Sequence, residues 1–236
     1  MLQQGDVLRE HLFSDRETLA RELALAVAGK LRAALAARGS ASLVVSGGRS
    51  PIPFFQALST QPLDWSQVWV TLADERWVPP SSPDSNERLV LENLLTGAAA
   101  GAQWVPLKSS AASAAQALAE RQTALAGMPH PFDCVVLGMG DDGHTASLFP
   151  GSAALQSAGN EWLAAVATPA PPNVQQPRMT MTLPLLLASR QIFLPLTGDA
   201  KWLVYRRARD GAAPRDLPVA AILGQCEVPV AVYWSC

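Results

Sequence analysis

The chain has 236 residues, enough to fold as one large α/β domain that hides roughly 70 to 75% of its unfolded surface, and a single domain over residues 1–236 is the expectation. Its 18 basic and 20 acidic residues give a formal charge of -2, and the bases are scattered, so nucleic acid and anionic membrane are not expected as partners and a small molecule is. Three cysteines without paired spacing argue against a disulfide framework or a zinc site, the charged N-terminal segment does not read as a signal peptide, and no apolar run reaches about 18 residues, so a soluble cytoplasmic protein is expected.

In chain order, Leu19, Leu23, Val27, Leu31 and Leu35 share one helical face, which predicts a long amphipathic helix capped by Asp15 and ended by Gly39. Leu43 to Val45 reads as a short buried strand. It is followed by the glycine turn "SGGRSP" and a helix with Pro51 in its first turn and Phe54, Phe55 and Leu58 on its apolar side. A strand from Val68 to Leu72 ends in the charges of "LADERWVP"; "VPPSSPDSN" reads as a surface loop, and a helix capped by Ser85 follows. The alanine-rich "SSAASAAQALAE" reads as another helix.

Cys134 to Leu137 is a further buried strand opening into "GMGDDGH", with His144 at the start of a predicted helix. "WLAAVAT", "RMTMTLPLLLAS", "QIFLPLTGDAKWLVYRRA" and "VPVAVYW" continue the alternation, with the proline-rich "TPAPPNVQQPR" as a surface loop. Met179 and Met181 alternating with Thr180 and Thr182 predict a strand with one wetter face. Strands alternating with helices give an α/β class with a mainly parallel sheet.

Ligands of such sheets sit beyond the carboxyl ends of the strands. That rule gathers Ser46–Ser50, Asp74–Arg76, Gly138–His144 and Gly198–Lys201 on one edge. Around Ser46, the pair Gly47 and Gly48 allows close backbone approach and Arg49 offers a planar charged fork, which suits a phosphate; an ordinary tight turn with a solvated arginine reads equally well. Asp74 and Glu75, directly after a buried strand, need polar partners. Polyol hydroxyls meet that need, and so does an internal ion pair of Asp74 or Glu75 with Arg76 or Arg88. His144, with Asp142 beside it, has the makings of a general base whose tautomer a carboxylate sets; the competing reading is a loop in which Asp142 caps Thr145 and Ala146. No second His or Cys supplies a metal ligand set. Lys201 in the first turn of a helix capped by Asp199 opposes the helix dipole, which marks either a bound anion or a solvated lysine, and Arg178 is a similar candidate.

Taken together and in order, "LVVSGGRSP", "LADERWVP", "DSNERLV", "LGMGDDGHTASLFPG", "PRMTMTLPLLLASRQIFL" and "GDAK" resemble the 6-phosphogluconolactonases of the glucosamine-6-phosphate deaminase/6-phosphogluconolactonase family. The resemblance implies a single-domain, modified Rossmann-like sheet flanked by helices, shared with ribose-5-phosphate isomerase, with no nucleotide cofactor and no metal. It implies hydrolysis of 6-phospho-D-glucono-1,5-lactone by a monomer or weak homodimer. His144 would activate water, Asp142 would orient it, Asp74 would hold sugar hydroxyls, and Arg49, Lys201 and Arg178 would grip the phosphate. Ser46, Gly47, Gly48 and Arg76 complete the expected substrate seat, and N–H groups of Gly47–Gly48 or Gly140–Gly143 would serve the oxyanion. Phe149 stands where the deaminases carry a glutamate used in ring opening, which turns the expectation away from deamination; a deaminase-like isomerase and an inactive sugar-phosphate-binding module are the alternatives.

Overall fold

A computed structural model describes residues 7–156, 162–166 and 176–236. Seven parallel strands form the main sheet: β1 (Leu8–Phe13), β2 (Ala41–Val45), β3 (Val68–Leu72), β5 (Gln103–Val105), β6 (Cys134–Val136), β9 (Ile192–Thr197) and β10 (Val230–Ser235), in the order β1-β10-β9-β6-β2-β3-β5. Every residue of β2 and β6 is buried, as central strands covered on both faces must be.

Helix α1 (Arg16–Arg38) crosses from β1 to β2. The Asp15 carboxylate accepts the Thr18 N–H at 2.7 Å, and Gly39, at φ 72°, ends the helix in the left-handed conformation that glycine adopts without Cβ strain. Both ends lie where the sequence puts them. After β2 come α2 (Ile52–Ser59) and, after β3 and the 74–85 segment, α3 (Asn86–Asn93), with Ser85 accepting the Arg88 N–H at 3.2 Å. The alanine-rich stretch is α4 (Ala114–Ala126). Helices α5 (Leu183–Leu187), α6 (Asp199–Arg209) and α7 (Val219–Leu223) complete the α-helices among the described residues.

Three expectations need correction, and two strands carried no sequence signal. The first 15 residues contain an edge strand, β1, whose polar, mostly exposed residues gave no alternating signal. Asp74 to Arg76, read only as charges after β3, is strand β4 (Asp74–Arg76) of a second, antiparallel sheet, ordered β4-β8-β7 with β8 (Arg178–Met181) and β7 (Leu163–Val166). Within that sheet Thr180 and Thr182 are as buried as Met179 and Met181, so β8 has no wet face; the Thr180 hydroxyl accepts the Ser147 N–H at 3.1 Å instead. Finally, no helix begins at His144. The chain turns tightly there, with Thr145 bridging to Leu148 and Ala146 at φ 48°, and Gly198 rather than Asp199 caps α6. Most of "TPAPPNVQQPR" lies outside the described residues.

The connection from β5 to β6 passes to the other side of β2, so strand order reverses between β2 and β6. A crevice opens at such a reversal, outside the carboxyl ends of the strands. The β2 and β6 loops form its two lips.

Candidate active site

The loop after β6 is closed by its own backbone. Gly140 N–H donates to the His144 carbonyl at 2.9 Å, Gly143 N–H to that of Gly140 at 3.0 Å, and the Thr145 hydroxyl to that of Gly138 at 2.9 Å. Two glycines are required in this ring. A Cβ at Gly140 would overlap the His144 imidazole, and Gly143 sits at φ 76° against Leu217. The ring brings Asp142 Oδ1 to 2.5 Å from His144 Nδ1 and 3.1 Å from the His144 N–H. Partial burial pushes the Asp142 carboxyl up, but the backbone N–H, charge and ring of His144 outweigh it and hold the carboxyl below its ordinary range. Asp142 therefore binds the histidine and does not cap Thr145 or Ala146. On the other side the imidazole packs on Phe149, with ring centroids 4.7 Å apart, and the Arg178 guanidinium carbon lies 5.5 Å from the same phenyl ring.

His144 opens on a cavity of about 460 Å³, within the range of small-molecule sites. Of the sequence-predicted residues, Ser46, Gly47, Gly48 and Arg49 line it from the β2 loop, Asp74 and Arg76 from β4, Arg178 from β8 and Lys201 from α6; Asp142 stands behind His144, outside the lining. Three cationic or polar wall residues escape sequence reasoning, Arg16, Asn86 and Thr197. Arg16 carried a readable signal, since a cation in the first turn of a helix opposes the dipole just as Lys201 does; Asn86 carried none beyond its place next to the Ser85 cap. Five cations, Arg16, Arg49, Arg76, Arg178 and Lys201, thus face one acid, Asp74.

Their commitments differ. Arg76 donates to the Asp84 carbonyl at 2.6 Å, and Lys201, half-buried, to the Met139 carbonyl at 2.6 Å. Arg178 lies 3.5 Å from Asp74; burial and then Arg76 lower its guanidinium pKa, while Asp74 opposes them. Arg16 and Arg49 make no side-chain hydrogen bond or ion pair among the described residues, which leaves their charge for an incoming anion. The Gly47 and Gly48 N–H groups likewise have no backbone partner among the described residues, with Gly48 at φ 94°, whereas those of Gly140 and Gly143 are committed within their loop.

The acids are also sorted. Glu75 is fully buried and accepts the N–H groups of Asn86 at 2.8 Å, Glu87 at 2.7 Å and Arg76 at 2.7 Å, so it pins the N-terminus of α3 and pairs with neither Arg76 nor Arg88 as an ion-pair latch would. Arg88 pairs with Glu92 instead, at 2.7 Å. Asp74, buried but part of the cavity wall, accepts the Ser147 hydroxyl at 2.5 Å and faces Arg178. Among the described residues no group of three His, Cys, Asp or Glu side chains is placed to hold a metal ion.

Comparison with known proteins places this arrangement in context. The family model described as "Glucosamine-6-phosphate isomerases/6-phosphogluconolactonase" matches residues 14–234. The 6-phosphogluconolactonase of Pseudomonas putida is 46% identical over 230 residues, covering 96% of this chain and 93% of that protein, and that of Rhizobium meliloti is 44% identical over 228 residues, covering 95% and 97%. The crystal structure of a 6-phosphogluconolactonase from Shewanella baltica superposes with a TM-score of 0.92 at 41% identity, covering both chains fully. A monomeric glucosamine-6-phosphate deaminase shares the fold, with a TM-score of 0.77 at 17% identity over 96% of this chain and 97% of that one.

Proposed function

The chain belongs to the glucosamine-6-phosphate isomerase/6-phosphogluconolactonase family, and we propose how it hydrolyses 6-phospho-D-glucono-1,5-lactone to 6-phosphogluconate, the second step of the oxidative pentose phosphate pathway. The observation that carries the reading is the Asp142–His144 pair opening on a cavity with five cations and Phe149 packed against the imidazole. With Asp142 accepting the Nδ1 proton, His144 presents Nε2 as a base, and a packed phenyl ring leaves no second carboxylate there for aldose ring opening.

Water attacks the lactone carbonyl as Nε2 takes its proton; the C–O bond to the ring oxygen then breaks, and the imidazolium returns the proton to that oxygen. Asp142 stabilises the imidazolium without leaving the carboxylate form. Arg49, Lys201, Arg16 and Arg178 hold the 6-phosphate, with Ser46 and the Gly47–Gly48 turn beside it, while Asp74 and Arg76 bound the sugar. The N–H groups of Gly47 and Gly48, with no backbone partner among the described residues, suit a phosphate oxygen, whereas those of Gly140 and Gly143 are already bonded. The substrate is a phosphosugar lactone, not a nucleic acid, and the protein works as a single domain, monomer or weak homodimer, in the cytoplasm. No helix among the described residues is long and apolar enough to cross a membrane.

The test is hydrolysis of freshly prepared lactone, corrected for spontaneous opening, by wild type and by His144→Gln. The variant is expected to lose about two to four orders of magnitude in kcat with KM little changed. Turnover near the wild-type rate would remove His144 from the mechanism.

A further inference from the structure

Asn86, the first residue of α3, is only 2% exposed, yet it forms part of the cavity wall. Its Nδ2 donates to the main-chain carbonyl of Asp74 at 2.9 Å, which settles the orientation of the amide, because a flip would set two oxygens against each other. The other end, Oδ1, is buried and makes no hydrogen bond among the described residues. The amide lies so close over Gly47 that a Cβ there would overlap it, so the same group closes against the β2 loop and hangs from β4. Capping does not require it: Ser85 caps α3 with its hydroxyl, and Glu75 takes the Asn86 N–H.

A buried amide oxygen without a donor is costly, and such a group persists where a ligand completes it. Being an acceptor only, Oδ1 repels phosphate and carboxylate and selects a donor. We infer that Asn86 is a specificity-determining residue whose Oδ1 accepts a hydrogen bond from one ring hydroxyl of the phosphosugar lactone, reading sugar identity where the cations read only the phosphate. Ser46 Oγ, also buried in the same wall, makes no hydrogen bond among the described residues, but a hydroxyl can donate as well as accept and so suits the phosphate beside it. The inference rests on the lactone-hydrolase reading.

Its test is a double-mutant cycle between enzyme and substrate, using 6-phospholactones that lack the hydroxyl at C2, C3 or C4 in turn. Wild type must first hydrolyse the fully hydroxylated lactone; failure there sinks the functional reading, not the assignment of Asn86 within it. Asn86→Ala is expected to lower kcat/KM about ten- to a hundredfold on that lactone and less than about twofold on one deoxy lactone, the one whose missing hydroxyl met Oδ1. If the alanine variant does not fold, Asn86→Ser, which also removes Oδ1 but leaves a small hydroxyl at the start of α3, takes its place with the same expectation. Equal losses on every lactone, or a wild type that hydrolyses all three deoxy lactones as well as the parent, would overturn the inference and reduce Asn86 to a structural strut between β4 and the β2 loop.

Discussion

His144 is held on three sides: by the Asp142 carboxylate, by the Phe149 ring and by the ring of backbone hydrogen bonds that Gly140 and Gly143 permit. The carboxylate does more than hold the imidazole in place, because it selects the tautomer that leaves Nε2 without a proton. An asparagine there can turn its NH₂ toward Nδ1 and reverse the tautomer. Asp142→Asn is therefore expected to cut kcat by on the order of 10² to 10⁴ while KM stays close to wild type. Single-turnover and steady-state rates with KM measured separately check this, and a loss under about threefold would mean that Asp142 only shapes the loop. Phe149 was legible in sequence as a missing carboxylate; its contact with Arg178 was not, since it joins the loop after β6 to strand β8, about 30 residues further on.

At the scale of elements, the short strand β4 carries the site by turning adjacent acids to different tasks. Asp74 lines the cavity, and Glu75 enters the protein to receive the first N–H groups of α3. Burial pushes the Glu75 carboxyl up from its ordinary 4.5, with the charge of Asp74 adding and the three N–H groups opposing. A carboxyl raised in the native state binds its proton more tightly there than in the unfolded chain. Its contribution to stability is complete below about 4.5 and is lost as pH rises through the raised native value. Glu75→Gln sets an NH₂ against N–H donors and should destabilise at every pH, but by less at neutral pH than near pH 4. Denaturant unfolding of both proteins across that range measures the slope; a deficit that grows with pH would refute the assignment. The caps of α1 and α3 were readable because a capping side chain is local. The place of β4 in an antiparallel sheet was not, because β4 pairs with β8, about 100 positions away in sequence, as Asp74 with Thr180.

For the whole molecule, the reversal of strand order between β2 and β6 decides where the cavity lies, and its five cations make it a seat for a phosphorylated ligand. A ligand that binds only the folded state stabilises it by mass action. The product 6-phosphogluconate, at about 100 times its Kd, should add about 2.7 kcal/mol and raise Tm by roughly 5 to 10 °C. Arg49→Ala should shrink that shift at the same concentration, whereas unphosphorylated gluconate should produce little. Thermal melts with the three ligand and variant combinations give the answer; an equal shift from gluconate would remove the phosphate from recognition.

The α/β class, the caps of α1 and α3, the order of the glycine and charge motifs and, through them, the family are written in the chain, because hydrophobic period, capping and turn chemistry act over a few residues. It took the folded chain to show that Asp74 faces the cavity while Glu75 holds α3, that a closed turn and not a helix start surrounds His144, and that Arg16 and Asn86 belong to the wall. Those outcomes depend on which strands lie side by side and on which polar groups burial leaves to satisfy one another, and neither is encoded in any short stretch of chain.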